Sequence, residues 1–530
     1  MTLVPRSDSS PRGEPWDARH RVAATIVLIL GVMLGWSARQ PEVPTGGDEA
    51  TYIELSHSLE QGHYRDEFLA GTPPHPQYPP VMPVWLLVLR RLFGPNLEIV
   101  RAANLLLIAL AAIVIGDGVR RLSTPWIGIG AMAAIVLNPA LLDIAGTPLS
   151  EALYTGVSAF AVWAALVFDL LPTRRRLLLA STSALVSFLT RTVGISVAAG
   201  FGVGLLLRRR WRAAAAYAVA SGVVVGGWFM YSVKAASQSI GQSYVSDLST
   251  SRVSPDLLQR AIANARQYLV IALGYELGLP TVPGTAVDNA AWLFLLAVTV
   301  LAGMWVLARR WPQAAATLLF SGTILLLWPW PIDRYQIPLL PLLIGAVLLG
   351  THDIARRLRD SWAEWITCLM AVVLTGSALS AQMVRGKRWE GCHHPDAWSD
   401  PSCYVPEDRS MIAAARFVRD SLPAEALIAT SKPPTIFFYS GHRGVPLSVV
   451  MRPAATGARY VLLSRVMPAE RGPVAKALRE RCTSYSVRAL FPPATLLLEV
   501  RDSPLGEDAC RALDEYLRDT TPDYRLDPRQ

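Results

Sequence analysis

Two adjacent carboxylates, Asp48 and Glu49, follow Gly47 directly after the first long apolar run of the chain, and Tyr52 stands one helical turn further on. An acid beside hydrocarbon has lost part of its hydration. It must offset that cost with a partner, a wet cavity or a substrate, so the pair is a candidate for proton transfer. The structural alternative is a solvated loop just outside a span, where charges are common. A second residue of this kind is Arg191 in Thr190-Arg191-Thr192-Val193-Gly194. The surrounding segment, Leu177 to Leu207, lies between the arginines at 174–176 and those from Arg208 to Arg212. As one helix it would stretch to roughly 46 Å and leave arginine clusters on both sides of a bilayer. A hairpin of two short helices, broken at 190–194, removes both objections. Arg191 then sits at a buried break, where it binds an anionic group or caps helix carbonyls.

The elements that must position these residues follow from composition. The chain has 530 residues, of which 52% are hydrophobic and only 17% charged, with a mean hydropathy of +0.32. That leaves too little polar surface for a soluble globule and predicts a polytopic membrane protein. Apolar runs recur at 22–39, 99–119, 124–142, 151–171, 213–233, 289–308, 313–330 and 361–384. The first lacks a small-residue cleavage site and reads as a signal anchor. The formal charge of +9 comes largely from arginines clustered in short loops, which mark topology and make nucleic acid a poor partner. Arg19 and Arg21 place the N-terminus in the cytoplasm, and Arg120-Arg121, Arg174 to Arg176, Arg208 to Arg212, Arg309-Arg310 and Arg356 to Arg359 mark later cytoplasmic turns. With the hairpin counted as two spans and Ile337 to Gly350 as a short one, the chain crosses an inner or plasma membrane about eleven times and ends outside.

Residues 1–385 are expected to form the membrane module, with outside loops at 40–98 and 234–288. Residues 386–530, richer in charge and proline, are expected to form a soluble outside domain. In that tail, candidate strands at Ala426 to Ala429, Tyr460 to Ser464 and Thr495 to Val500 alternate with candidate helices at Glu407 to Ser421, Ala469 to Arg481 and Glu507 to Asp519, the pattern of a small α/β domain. Cys392, Cys403, Cys482 and Cys510 cluster there, as suits an oxidising compartment, and pairing Cys392 with Cys403 and Cys482 with Cys510 is the simplest of three possibilities. In the first loop, Val84 to Phe93 is too short to cross and is expected along the interface. In the second, the amphipathic Pro255 to Leu277 suits a lid on the membrane surface.

Several short words occur in order along the first 350 residues: Gly47-Asp48-Glu49-Ala50-Thr51-Tyr52, Tyr78-Pro79-Pro80-Val81-Met82-Pro83-Val84-Trp85-Leu86, Leu92-Phe93-Gly94, Val100-Arg101, Thr147-Pro148-Leu149-Ser150-Glu151-Ala152-Leu153-Tyr154, Leu189-Thr190-Arg191 and Asp333-Arg334-Tyr335-Gln336-Ile337-Pro338-Leu339-Leu340-Pro341. Their order and spacing resemble the membrane-embedded GT-C glycosyltransferases that use polyprenyl-phosphate sugars, the group that includes protein O-mannosyltransferases and lipid A aminoarabinose transferases. The resemblance implies a mainly α, polytopic fold and an Asp at the catalytic centre supplied by the first outside loop, matching Asp48 with Glu49 as its neighbour. It also implies a second acid matching Glu151, and basic residues that hold the leaving lipid phosphate, best matched by Arg191 and Arg334. Tyr52, Tyr78 and Tyr335 are the implied substrate- or phosphate-binding hydroxyls. Beyond residue 386 the resemblance carries little.

The implied reaction moves a sugar from a polyprenyl-phosphate donor to a glycan, lipid or protein acceptor at the membrane. Asp48 takes the acceptor proton, Glu151 orients hydroxyls and the two arginines clamp the phosphate. Glu151 also suits a simple helix start, and Arg334 a side chain snorkelling from a span end. No cofactor is expected, because His57, His63 and His75 lack the spacing of a tight metal site and His393-His394 falls in a disulfide loop. The rival readings are a secondary transporter, for which paired half-repeats are missing, and a lipid-linked glycan ligase or polymerase.

Overall fold

The computed structural model describes residues 15–39, 41, 45–239, 257–277, 290–329, 332–394, 397–447, 457–464, 473–501 and 508–518. Its first part is a bundle of apolar helices: α1 (Ala18–Ser37), α2 (Asp48–Glu60), α3 (Val81–Phe93), α4 (Leu97–Leu122), α5 (Pro125–Val136), α6 (Pro139–Ala145), α7 (Ser150–Leu170), α8 (Arg174–Thr190), α9 (Ile195–Leu207), α10 (Trp211–Ala236), α11 (Leu257–Ala265), α12 (Leu273–Glu276), α13 (Ala290–Arg310), α14 (Pro312–Leu327), α15 (Leu340–Leu358) and α16 (Ala363–Arg388). Among the described residues six helices are long and apolar enough to cross a membrane, or seven if the bent pair α5 and α6 counts as one span. With the shorter or more polar α8, α9, α14 and α16 the bundle has eleven helical passages, the number the arginine clusters imply.

The run at 124–142 does not form one straight span. Asn138 accepts from the Leu141 amide at 3.1 Å and starts a new helix whose Pro139 has no N–H to continue the old one, and the two axes meet at 53°. The hairpin expected in 177–207 is present. α8 ends at Thr190, Arg191 is extended (φ −147°, ψ 141°), a short 3₁₀ turn covers Thr192–Gly194, and α8 and α9 pack against each other across the break. The expected interfacial helix is α3, whose Met82, Leu86 and Leu89 are buried while Val84, Val88 and Leu92 form an exposed apolar strip at helical spacing. Residues 257–277 of the expected lid are helical with a π turn at Arg266–Ala272; Pro255 and Asp256 lie outside the described residues. This segment is anchored on the end of α14 by Asn264, whose amide donates to the carbonyls of Leu326 and Trp328 at 3.0 and 2.8 Å.

The arginine clusters gather at one end of the bundle. Arg208 donates to the Arg310 carbonyl at 3.3 Å and Arg310 to the Leu122 carbonyl at 3.2 Å. Arg309, Arg310, Arg356 and Arg357 line a common polar cavity, and Arg120 lies over the Trp16 ring. The helix α7, 21 residues or about 31 Å long, runs from this end to Ser150 and Glu151 at the other.

Close backbone approach holds α13 to α15. A Cβ on Gly303 would lie 1.9 Å from the Ala346 carbonyl oxygen, and one on Gly350 would lie 1.9 Å from that of Thr299. Neither contact leaves room for a methyl group. The change Gly303→Val is therefore expected to push the helices apart and cost about 1–3 kcal/mol or more, read as a lower melting temperature in detergent, and an unchanged melting temperature would contradict the packing.

The C-terminal α/β region has helices α17 (Pro406–Ser421), α18 (Pro433–Ser440), α19 (Pro473–Glu480) and α20 (Asp508–Arg518), and strands β1 (Ile428–Thr430), β2 (Gly444–Pro446), β3 (Tyr460–Ser464), β4 (Tyr485–Phe491) and β5 (Thr495–Val500). The sheet order is β2-β1-β3-β5-β4, parallel between β2, β1 and β3 and antiparallel beyond. Both faces are covered. Leu462 and Leu497 pack with Ala414 and Val418 of α17, and Leu463, Leu496 and Leu498 pack with Leu478 and Leu513 of α19 and α20. β3 and β5 lie where expected, β1 starts two residues late, and β2, β4 and α18 are additions. The helices expected at Ala469 to Arg481 and Glu507 to Asp519 appear as α19 and α20, their first or last positions lying outside the described residues. Disulfides join Cys392 to Cys403 and Cys482 to Cys510, the simplest pairing. The sheet edge extends onto the first loop: Gly444 donates to the Phe68 carbonyl at 2.8 Å and Ala70 donates back to Gly444 at 3.0 Å.

Candidate active site

The acid pair opens α2. Gly47 caps that helix with φ +95°, a conformation glycine adopts without strain, and the two carboxylates stand in the first turn, where the helix dipole favours negative charge. Glu151 likewise occupies the first turn of α7, Arg191 the break after α8, and Arg334 and Tyr335 a 3₁₀ turn (Asp333–Tyr335) leading into α15. Residues from four distant places thus meet at one end of the bundle.

Arg334 forms an ion pair and hydrogen bond with Asp48, joining Nη2 to Oδ2, and its Nε stands 3.5 Å from Glu151 Oε1. Arg191 Nη1 lies 2.6 Å from the same Glu151 oxygen and donates to Ser150 Oγ at 3.1 Å. Glu151 is only 1% exposed, and both guanidiniums stand against one of its carboxylate oxygens. The Tyr335 ring lies beside both, 5.4 Å from Arg191 and 5.7 Å from Arg334, within cation–π range. The Tyr78 hydroxyl donates to Asp48 Oδ1 at 2.9 Å, and that of Tyr52 donates to Ser150 at 2.9 Å. Asp48, Glu151, Arg191, Arg334, Tyr335, Tyr52 and Tyr78 therefore form one connected cluster. Glu49 lies at its edge, 7% exposed, with one carboxylate oxygen that has no hydrogen-bond partner among the described residues.

The two adjacent acids are electrostatically unlike. Burial pushes the Asp48 carboxyl up, but Arg334, Lys432 and the Tyr78 hydroxyl outweigh it and hold the group below its ordinary range. Burial, with the charge of Asp48 added, pushes Glu49 above its ordinary range. The two adjacent acids are thus driven in opposite directions, the pattern that lets paired carboxyls take different roles.

Three contributors escape a reading of the sequence. Ser150 sits inside the word that holds Glu151 but carries no signal of its own. His75 positions Tyr78: its Nε2 accepts from the Tyr78 amide at 2.8 Å, which leaves the ring proton on Nδ1, 2.5 Å from Asp66 Oδ1. The third is Lys432 of the C-terminal region, whose Nζ donates to the Gly46 carbonyl. Of the other histidines, His57 lies 3.4 Å from Glu54, and Ser58 Oγ is 2.9 Å from His63.

The same arrangement of helices and tail occurs in solved membrane proteins. ArnT from Cupriavidus metallidurans in the apo state superimposes with a TM-score of 0.55 at 15% identity, over 90% of this chain and 97% of that one. Its structure bound to undecaprenyl phosphate gives 0.52 at 16% identity, over 93% and 100%. The chain has the GT-C fold. The archaeal oligosaccharyltransferase AglB from Archaeoglobus fulgidus, in complex with an inhibitory peptide and a dolichol-phosphate, shares the GT-C fold with a TM-score of 0.52 at 12% identity, over 94% of this chain and 78% of that one. No family model and no curated protein matches the sequence. The likeness drawn from the ordered words is thus borne out at the level of the fold, and the superposition extends past those first 350 residues over 90% of the chain.

Proposed function

We propose that this protein transfers a sugar from a polyprenyl-phosphate donor to an acceptor hydroxyl on the outer side of the membrane. The observation that carries this reading is the cluster itself. An ionised carboxylate and two guanidiniums, stacked beside one tyrosine, meet at the end of an apolar bundle opposite its arginine clusters. Taking the arginine-rich end as cytoplasmic puts the N-terminus inside and the α/β region outside. Undecaprenyl phosphate in ArnT and dolichol-phosphate in AglB support a lipid phosphate as the leaving group.

In this reading Asp48 accepts the proton of the acceptor hydroxyl, whose oxygen attacks the anomeric carbon. The bond from that carbon to the phosphate oxygen breaks, and the departing polyprenyl phosphate leaves with its charge between Arg191 and Arg334. Arginine suits that role because its paired N–H groups match phosphate oxygens. Glu151 holds both guanidiniums in place before the donor arrives, and Tyr335 keeps them aligned. Enclosure by the bundle and the α/β region keeps water from competing.

The lipid chain has a path. An apolar groove of about 570 Å³ between α9 and α10, lined by Ile195, Ala198, Gly202, Tyr217, Gly222 and Val225 among others, begins at Ile195, one turn beyond Arg191. A Cβ on Gly222 would meet nothing within 4 Å, so a side chain introduced there can project into the groove. Gly222→Trp is expected to raise KM for a long-chain donor about tenfold, the equivalent of roughly two methylenes displaced, while leaving a short-chain donor unaffected. Equal effects on both donors would remove the groove from the account.

The test of the reading is incubation of the purified protein with a panel of polyprenyl-phosphate sugars and membrane acceptors. Transfer of label from one of them is the expected result. Solute flux through proteoliposomes with no transfer from any donor would favour a transporter instead.

A further inference from the structure

The acid pair faces a cation that does not come from the helical bundle. Lys432 follows β1 and is the N-cap residue of α18, with φ −131° and ψ 60°. The side chain crosses the Gly46–Gly47 turn. A Cβ on Gly47 would lie 2.9 Å from Lys432 Cδ and 3.0 Å from its Nζ, and a Cβ on Gly46 would lie 2.6 Å from Glu49 Oε2. The turn that starts the catalytic helix is thus held between the ammonium of one region and the carboxylate of another, and two glycines leave the space. Lys432 is 9% exposed.

Charge balance gives this contact a purpose. Around the site stand three carboxylates, Asp48, Glu49 and Glu151, and three cations, Arg191, Arg334 and Lys432. Arg334 and Arg191 are taken up by Asp48 and Glu151. Among the described residues Lys432 is the remaining cation beside the acid pair; burial pushes its ammonium below its ordinary range, while the carboxylates of Asp48 and Glu49 act to hold the proton on it. The region carrying it is fastened to the loop that carries the acids, through Gly444 with Phe68 and Ala70 and through Arg443 Nε on the Glu67 carbonyl at 3.2 Å.

We propose that Lys432 is a positioning residue of the active centre: its ammonium pins the Gly46–Gly47 turn and sets the Asp48–Glu49 pair, so that the α/β region completes the site instead of merely covering it. This rests on the reading of the cluster as a transfer site. It requires that the bundle be catalytically incomplete without its docked tail.

The test compares Lys432→Met and Lys432→Arg with the wild type, in kcat and donor KM across pH, and in the pH dependence of carbodiimide modification of Asp48 and Glu49 followed by mass spectrometry. Lys432→Met is expected to lower kcat about tenfold or more with little change in donor KM. It should also move the acid limb of the profile upward by about one pH unit, because a lost cation makes the neighbouring carboxyls easier to protonate. Lys432→Arg should restore most of both. Equal kcat and an unmoved acid limb in Lys432→Met would overturn the proposal, as would a loss of rate that Arg does not rescue and that comes with a lowered melting temperature. The labelling arm separates the two ideas. If the wild type transfers no sugar, the transfer reading falls. The positioning role then stands if Met extends modification of the pair to higher pH while Arg does not, and falls if the three proteins label alike.

Discussion

The change Asp48→Asn is expected to lower kcat by about 10² to 10⁴ while the melting temperature stays close to that of the wild type. The substitution keeps size and one oxygen, which can still accept from Arg334, while its NH2 can donate to the Tyr78 hydroxyl in place of the oxygen that accepted from it, so the scaffold around it has little reason to move. What it removes is the basic lone pair. No neighbour replaces it, because burial, which persists in the variant, holds the Glu49 carboxyl above its ordinary range, and Glu151 is already committed to two arginines. Donor binding should weaken less than turnover, since in the proposed mechanism the phosphate is held by Arg191 and Arg334. The measurement is steady-state transfer with a labelled lipid donor, and a variant with normal kcat would take Asp48 out of the mechanism.

Arg334→Ala carries the second large effect, because this side chain both pairs with Asp48 and stands beside Glu151. Loss of a preorganised cation from a low-dielectric site lowers kcat/KM for the donor by about 10² to 10³. A pH signature accompanies it. Asp48 is held low against burial by Arg334 and Lys432, so its base form persists into acid in the wild type. Without Arg334 its proton affinity rises, and the acid limb of kcat/KM moves upward by about one unit or more. Arg334→Lys returns the charge but not the paired donors and should recover the limb better than the rate. A variant with unchanged donor dependence and an unmoved limb would contradict the clamp.

Much of this arrangement is legible in the sequence. The break at Arg191 follows from segment length and arginine placement alone, because a single helix between two arginine clusters has the wrong parity. Asp48 stands out through its position beside hydrocarbon, and Glu151 and Arg334 through the order of words around them. The packing that makes these residues one cluster rests on Ser150, which no spacing announces, and on the ring of Tyr335, which the sequence marks only for its hydroxyl. Lys432 was illegible for a stronger reason. It is one lysine in a charged tail, and its place beside Asp48 depends on pairing between the β2 edge and Leu69, a contact between segments about 375 residues apart in a chain whose loop-closure cost depends little on such distance. β2 has only three residues, and β4 has a bulge between Val487 and Ala489 that spoils the alternation by which strands are read. The bend at Asn138-Pro139, by contrast, was written in the sequence as a cap followed by a proline. The apolar content around it made the run read as one span.

Every step of the account requires that a lipid phosphate come to rest between the two guanidiniums with Asp48 on the side from which an acceptor arrives. The most direct measurement is a cryo-EM structure of the protein with bound polyprenyl phosphate. The account predicts phosphate oxygens within hydrogen-bond distance of Arg191 and Arg334 and the lipid chain entering the groove between α9 and α10. Phosphate density elsewhere on the molecule, with Arg334 still closed on Asp48, would contradict it.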